Sequence, residues 1–267
     1  MESSLSPVRP VQPPAPYIGG KRNLSGQLVE LIARTPHDLY AEGFVGMGGV
    51  FLRRRSRPRV EVINDWSADV ATLFRILQRH YVSFLEMLRF QLTTREAFDR
   101  LTRTDPATLT DLERAARFLY LQRVAFGGKV AGRNFAMTGD RPARFDVTRL
   151  QPMLEALHER LAGVLIERLP YGDFIRRYDR PGALFFLDPP YLGSEGDYGE
   201  GMFSEADFEA LRDLLATLKG RFILTLNDHP RTRDLFARFD LEPVRLAYTI
   251  SKGVTEGREL IVTGGGG

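Results

Sequence analysis

The chain has 267 residues, 43% apolar and 27% charged, with a net charge of +3 and a sequence pI of about 9.2. That length allows one large domain or two unequal ones, and no apolar run approaches the ~20 residues a membrane-spanning helix needs. There is no cysteine, which excludes disulfides, thiolate metal sites and a cysteine nucleophile. The four histidines (His37, His80, His158 and His229) fit no metal-ligand spacing, so no metal is expected.

At the N-terminus there is no apolar signal core, residues 7 to 16 are rich in proline, and 1–15 are expected to form a disordered tail. Tyr17-Ile18-Gly19-Gly20-Lys21 then precedes a helical pattern through Leu24, Leu28, Leu31 and Ile32. A lysine behind a Gly-Gly bend is placed to reach a carboxylate on another strand. A strand-like stretch ends at Phe44-Val45, and Gly46-Met47-Gly48-Gly49 forms a glycine turn before a helix starting at Val50-Phe51-Leu52. Such glycines let a backbone approach a ligand and leave helix N–H groups free; a plain tight turn is the alternative, because the full GxGxxG spacing is missing. The next strand, Val60-Glu61-Val62-Ile63, ends at Asn64-Asp65. Asp65 lies about 20 residues after the glycine turn, where an acid can accept from ribose hydroxyls, or simply sit near a helix N-terminus. Together the two signals favour an adenosine-bearing ligand. A helix is expected from about Ser67, with Val70, Leu73, Phe74 and Leu77 on one face.

Between the two strands, Arg53, Arg54, Arg55, Arg57 and Arg59 form a basic run that reads as a solvated surface or a phosphate contact. From residue 75 to 155 the strand signals vanish. Leu85/Leu88/Leu92 and Leu112/Ala115/Ala116/Leu119 are helical stripes, and 14 Lys and Arg stand against 9 Asp and Glu. A polyanion-binding module has such a balance, and so does an ordinary arginine-rich helical surface. Phe126 to Phe145 is rich in glycine and arginine without a clear period, which reads as a long functional loop.

Strand signals return at Ala183–Leu187, before a helix near Ser204–Leu218 with Ser204 as candidate N-cap. Phe222–Leu226 is a further strand, a helix follows near Arg231–Arg238, and Val244–Thr249 with Glu259–Thr263 reads as a closing antiparallel pair. The last four glycines read as a flexible tail. The run Ala183–Leu187 stops at Asp188-Pro189-Pro190-Tyr191. Proline cannot continue a central ladder and stiffens its predecessor, so the chain leaves the sheet rigidly, presenting an acid, carbonyls and a ring. That end suits a planar group with an exocyclic NH2, whose two protons the acid and a carbonyl accept while the ring stacks on its face; a DNA base fits. Asp173-Phe174 in isolation reads as a surface acid and a core phenylalanine.

In order, Tyr17–Lys21 (YIGGK), Phe44–Gly48 (FVGMG), Asn64-Asp65, the variable middle, Gly172-Asp173-Phe174 and Asp188–Tyr191 (DPPY) resemble the Dam-like, D12-class alpha group of DNA adenine-N6 methyltransferases, with late segments similar to phage and prophage members. The resemblance spans residues 16 to 263. It implies an α/β, Rossmann-like S-adenosylmethionine-dependent methyltransferase sheet with an inserted, mostly helical target-recognition domain. The catalytic domain would comprise 16–74 and 160–263, and the insert 75–159. It implies S-adenosylmethionine framed by Tyr17, Gly19, Gly20, Lys21, Phe44, Gly46, Gly48 and Asp65, with Asp173 and Phe174 holding the cofactor's adenine. Asp188 and the Pro189 carbonyl would accept from the target amine, with Pro190 in the same rigid element and Tyr191 stacked on the flipped base. Arg123, Lys129, Arg133 and Asn134 are the expected contacts to double-stranded DNA, in a prokaryotic or phage-infected cytoplasm, by a monomer or weak dimer. Carbon-5 methylation of cytosine relies on a cysteine and is excluded. An N4-cytosine or RNA N6-adenine methyltransferase and an inactive DNA-binding regulator are the alternatives.

Overall fold

In the computed structural model, residues 5–21, 23–136, 143–191, 203–250 and 253–266 are described. The N-terminal β1 (Ser6–Pro7) leads into α1 (Ser25–Arg34), β2 (Leu39–Glu42), β3 (Ser56–Arg57) and β4 (Val60–Asn64). Five helices follow: α2 (Ala68–Arg79), α3 (Tyr81–Leu88), α4 (Arg95–Arg103), α5 (Asp111–Val124) and α6 (Val147–Leu161). Then come β5 (Leu165–Glu167), α7 (Tyr171–Tyr178), β6 (Ala183–Leu187), α8 (Glu205–Leu215), β7 (Arg221–Asn227), α9 (Pro230–Leu235) and the hairpin β8 (Asp240–Ile250) and β9 (Gly253–Gly265).

Seven strands form one sheet in the order β5-β4-β2-β6-β7-β9-β8. The first five run parallel, and β9 inserts antiparallel between β7 and β8. Strand order reverses beside β2, so a crevice opens beyond the carboxyl ends of β2 and β6, as in other Rossmann-like sheets.

Alternate side chains of the central strands feed two cores. Tyr40, Ile63, Leu184, Phe186, Ile223 and Ile261 face α1, α2, α5 and α6. Leu39, Val62, Phe185, Leu187, Phe222, Leu224 and Val262 face α7 and α8. Burial of each such large apolar side chain contributes about 1.5–3 kcal/mol. The helices between β4 and β5 share the first core with the sheet, and α2 and α6 run across residues 75 and 159. Ser67 caps α2 in extended conformation, and Asp207 accepts from the backbone and hydroxyl of Ser204 ahead of α8.

Five expectations change. The segment read as a disordered tail is packed from residue 5 onward within the described chain: Val11 and Ala15 are buried, and Ser6–Pro7 pair with Ser56-Arg57. The helix after the glycine turn shrinks to one 3-10 turn, Phe51–Arg53, because Arg54 leaves in extended conformation and turns inward. Arg54 belongs to the run read as surface, yet it is buried, ion-paired with Glu61 and stacked 3.7 Å from the Tyr40 ring centroid. Gly264 and Gly265, read as tail, pair with Phe222 and Arg221 in β9; a Cβ on Gly264 would meet the Phe222 and Phe239 rings at 3.0–3.1 Å. Leu92 falls beyond α3 and is exposed, so the Leu85/Leu88 stripe ends one step early.

Candidate active site

The carboxyl ends of β2, β4 and β6 meet at a cavity of about 790 Å³, within the range of small-molecule and cofactor pockets. Glu42 pairs with Phe186 across β2 and β6, and the Gly43 N–H donates to the Phe186 carbonyl at 3.0 Å. The glycine turn and Asp188 therefore leave the sheet side by side.

Asn64 and Asp65 divide their labour. Asn64 is buried: its Nδ2 donates to the Gly43 and Leu169 carbonyls (3.0 and 3.1 Å), and its Oδ1 accepts from the Leu169 N–H (2.8 Å). It ties the end of β2 to the chain after β5. Asp65 reaches the cavity wall and accepts from the Gly46 and Ser67 N–H groups, both at 2.9 Å. Burial raises its pKa to about 6, against those two bonds. Four lone-pair sites on a carboxylate leave room for further donors. Gly46 and Gly48 sit at φ +50 and +74, and a Cβ on Gly46 would lie 3.0 Å from the Tyr17 ring, so glycine is required there.

At the other end, Lys21 is buried and its Nζ lies 2.7 Å from Asp188 Oδ1 and 4.0 Å from Glu259 Oε2. It also donates to the Gly19 carbonyl at 3.2 Å and stands 4.4 Å from the Tyr191 ring centroid. The Thr225 hydroxyl donates to the same Asp188 Oδ1 at 2.7 Å. Among the described residues none donates to Oδ2. Burial pushes the Asp188 carboxyl up, and Lys21 and Thr225 only partly restrain it. The Tyr191 hydroxyl donates to Glu259 Oε2 at 2.8 Å.

The cavity thus gathers Tyr17, Gly19, Gly20, Lys21, Phe44, Gly46, Asp65, Asp188 and Pro190. Pro189 is buried beneath it, Gly48 lies inside the turn, and Tyr191 flanks Lys21. Asp173 and Phe174 do not border it. Asp173 is exposed and paired with Arg176 at 2.8 Å, and Phe174 is fully buried where α7 packs on the opposite sheet face.

A family model for D12 class N6 adenine-specific DNA methyltransferases matches residues 17–250. The chain belongs to that family. It is 26% identical over 277 residues to the type II methyltransferase M1.LlaDCHI of Lactococcus lactis subsp. cremoris, covering 95% of each chain. It is 27% identical to the DNA N-6-adenine-methyltransferase of Escherichia phage P1, over 96% of this chain and 36% of that longer protein. A type II methyltransferase, M.CviBI, of Paramecium bursaria Chlorella virus NC1A is 20% identical over 85% of this chain and 86% of its own.

As an adenine-specific DNA methyltransferase the chain acts on DNA and needs a methyl donor. Among the described residues no group of three or more His, Cys, Asp or Glu could hold a metal ion, and no helix is long and apolar enough to cross a membrane.

Several site residues escaped the motifs. Glu42 borders the cavity, fully enclosed; it accepts from the Tyr40 hydroxyl at 2.6 Å, and burial raises its pKa to about 8. Its signal was an acid inside an apolar strand just before a glycine turn. Thr225 was the lone polar residue of an apolar run. Trp66, the only tryptophan, borders the cavity beside Asp65. The expected DNA contacts separate: Lys129 and Asn134 are exposed, whereas Arg123 and Arg133 are partly buried and bonded within the chain.

Proposed function

We propose that this methyltransferase transfers the methyl group of S-adenosylmethionine to N6 of an adenine flipped out of double-stranded DNA. The supporting observation is that Asp188 shares one cavity with Asp65 and the glycine turn, so an amine acceptor and an adenosine-type subsite adjoin. Asp65 would hold the ribose hydroxyls and the turn would admit the cofactor backbone closely. Phe44 and Trp66 supply apolar walls for its adenine, in place of Asp173 and Phe174. The names of the type II and phage relatives support action in a bacterial or phage-infected cytoplasm.

The bound donor supplies an electrophilic methyl group on a sulfonium. Asp188 Oδ2 and the Pro189 carbonyl accept hydrogen bonds from the two N6–H groups, which favours a pyramidal nitrogen and frees its lone pair from the ring. Lys21 and Thr225, both on Oδ1, fix the rotation of the carboxylate so that Oδ2 serves the amine. The methylated amine is far more acidic, so its proton leaves after transfer, to Asp188. Burial makes Asp188 a better acceptor than an ordinary aspartate. Flipping costs a few kcal/mol, which stacking on Tyr191, about 1–3 kcal/mol, partly offsets. Lys129 and Asn134 would meet the DNA.

Incubation with tritiated S-adenosylmethionine and DNA, followed by hydrolysis to nucleosides, tests this reading. Label in N6-methyl-2′-deoxyadenosine from double-stranded DNA is expected; label in N4-methyl-2′-deoxycytidine, or none, overturns it.

A further inference from the structure

The proline-rich segment before Tyr17 precedes the residues matched by the family model, 17–250, yet Gln12, Pro13, Ala15 and Pro16 wall the cavity. It is a strap pinned on two sides. On one side the Val8 and Val11 N–H groups donate to the Arg55 and Leu52 carbonyls, both at 2.9 Å, beside the glycine turn. On the other side the pins come from the end of α5. Arg123 Nη1 donates to the Pro14 carbonyl at 2.7 Å, and Gln122 Nε2 donates to the Pro16 and Gly128 carbonyls at 3.3 and 3.1 Å. Because Pro13, Pro14 and Pro16 lack N–H groups, the strap is held here by its carbonyls.

Arg123 does more than close the strap. Its Nε donates to the Arg144 carbonyl at 3.3 Å, at the far end of the long loop, and the side chain itself borders the cavity. One rigid guanidinium fork thus ties the cavity wall to the far end of the segment Phe126 to Phe145, while Gln122 holds its near end at Gly128. A lysine has the charge but not the fork.

We propose that Arg123 is a positioning residue for the methyl-donor pocket, which it serves by clamping the Gln12–Pro16 wall to the recognition loop, rather than a contact to a DNA phosphate. This rests on reading the cavity as the S-adenosylmethionine pocket. The clamp makes the wall part of the cofactor site while anchoring it to the segment that faces DNA.

The test is calorimetric titration of S-adenosylhomocysteine into wild type, Arg123→Ala and Arg123→Lys, with the salt dependence of DNA binding and thermal melting of each. Both variants are expected to bind S-adenosylhomocysteine at least about tenfold more weakly, because the lost bonds are charge-assisted and enclosed. Lysine does not rescue, and the salt slope of Arg123→Ala matches wild type. A DNA contact would instead lower that slope by about 0.9, with lysine restoring it, and would overturn the proposal. A lowered melting temperature with unchanged S-adenosylhomocysteine affinity in the folded Arg123→Lys protein would overturn it too. Failure of wild type to bind S-adenosylhomocysteine would overturn the pocket reading itself, which separates the two failures.

Discussion

The sheet edge and the helical insert use their polar residues in opposite ways. At the edge, Asp65, Glu42 and Asp188 turn carboxyl oxygens toward a shared cavity, and burial raises all three pKa values. In the insert, several of the arginines that a charge count assigns to a polyanion are turned inward, while others such as Arg75 and Arg149 stay exposed. Arg117 donates to the Leu101 and Thr102 carbonyls, Arg114 pairs with Asp69 at 2.5 Å, and Arg133 donates twice to Gln122 Oε1. Local net charge therefore overstates the cations a surface offers to a polyanion, whereas an acid at a strand end does mark the face that carries the cavity. A long guanidinium can reach back to carbonyls of its own chain; a short carboxylate on a rigid strand end cannot turn away.

If the edge is the reactive face, removing its central acid has the largest effect. Asp188→Ala should cut single-turnover methylation by about a hundredfold or more while S-adenosylhomocysteine and DNA still bind. Retained turnover would break the contrast between the two regions. Asp65→Asn should weaken S-adenosylhomocysteine binding by about 10–100-fold, the scale of lost charge-assisted bonds. Asp65 loses its charge as pH falls through about 6, so wild-type affinity should decline below that pH. Titrations from about pH 8 to about pH 5 check this, and an Asp65→Asn profile that still follows wild type would show that another group governs it.

The same contrast explains what was legible in the residue order. Glycines with positive φ, the acid after a buried strand and the Asp-Pro-Pro-Tyr stop are local constraints, so the edge could be read before its geometry was known. Gln122 carries no such mark: its role as a hub for Pro16, Gly128 and Arg133 depends on the strap crossing α5, a meeting of residues more than 100 apart in the chain. The strap was missed because proline-rich composition describes a segment that cannot pair with itself, which does not prevent it from packing on others. Asp173-Phe174 differ in the reverse direction, lying away from the cavity. The motif matched, but Phe174 completes the apolar face of α7 and the sheet claims it.

Within the insert, the exposed and inward cations should respond differently. Lys129→Ala is expected to lower the salt slope of DNA binding by about 0.9 with no change in melting temperature. Arg133→Ala leaves Gln122 Oε1 without its donors inside a buried site, which costs about 1–3 kcal/mol of stability, with the slope unchanged. Fluorescence anisotropy across a salt series and thermal melting of both variants separate the two classes. A reduced slope in Arg133→Ala would return that arginine to the DNA surface.

The last contrast belongs to Glu42, which lies where the two regions join. Through Tyr40 it adjoins Arg54, and Arg54 shares Glu61 with Arg160 of α6, so the buried network runs from the insert to the cavity. With its pKa raised from 4.5 to about 8, the folded protein keeps a proton on Glu42 that the unfolded chain has released. Between those values folding binds a proton, so this contribution to stability is fully present below 4.5 and is lost as pH rises through about 8. Glu42→Gln keeps an acceptor for the Tyr40 hydroxyl but cannot ionise. Its melting temperature should therefore gain on wild type as pH rises from about 5 to about 8, by about 2–4 °C for each kcal/mol of relieved burial. Paired melting curves across that range measure the gap. A constant gap would mean that Arg54 keeps Glu42 ionised, so that an inward-turned arginine outside the insert sets the charge of the cavity wall itself.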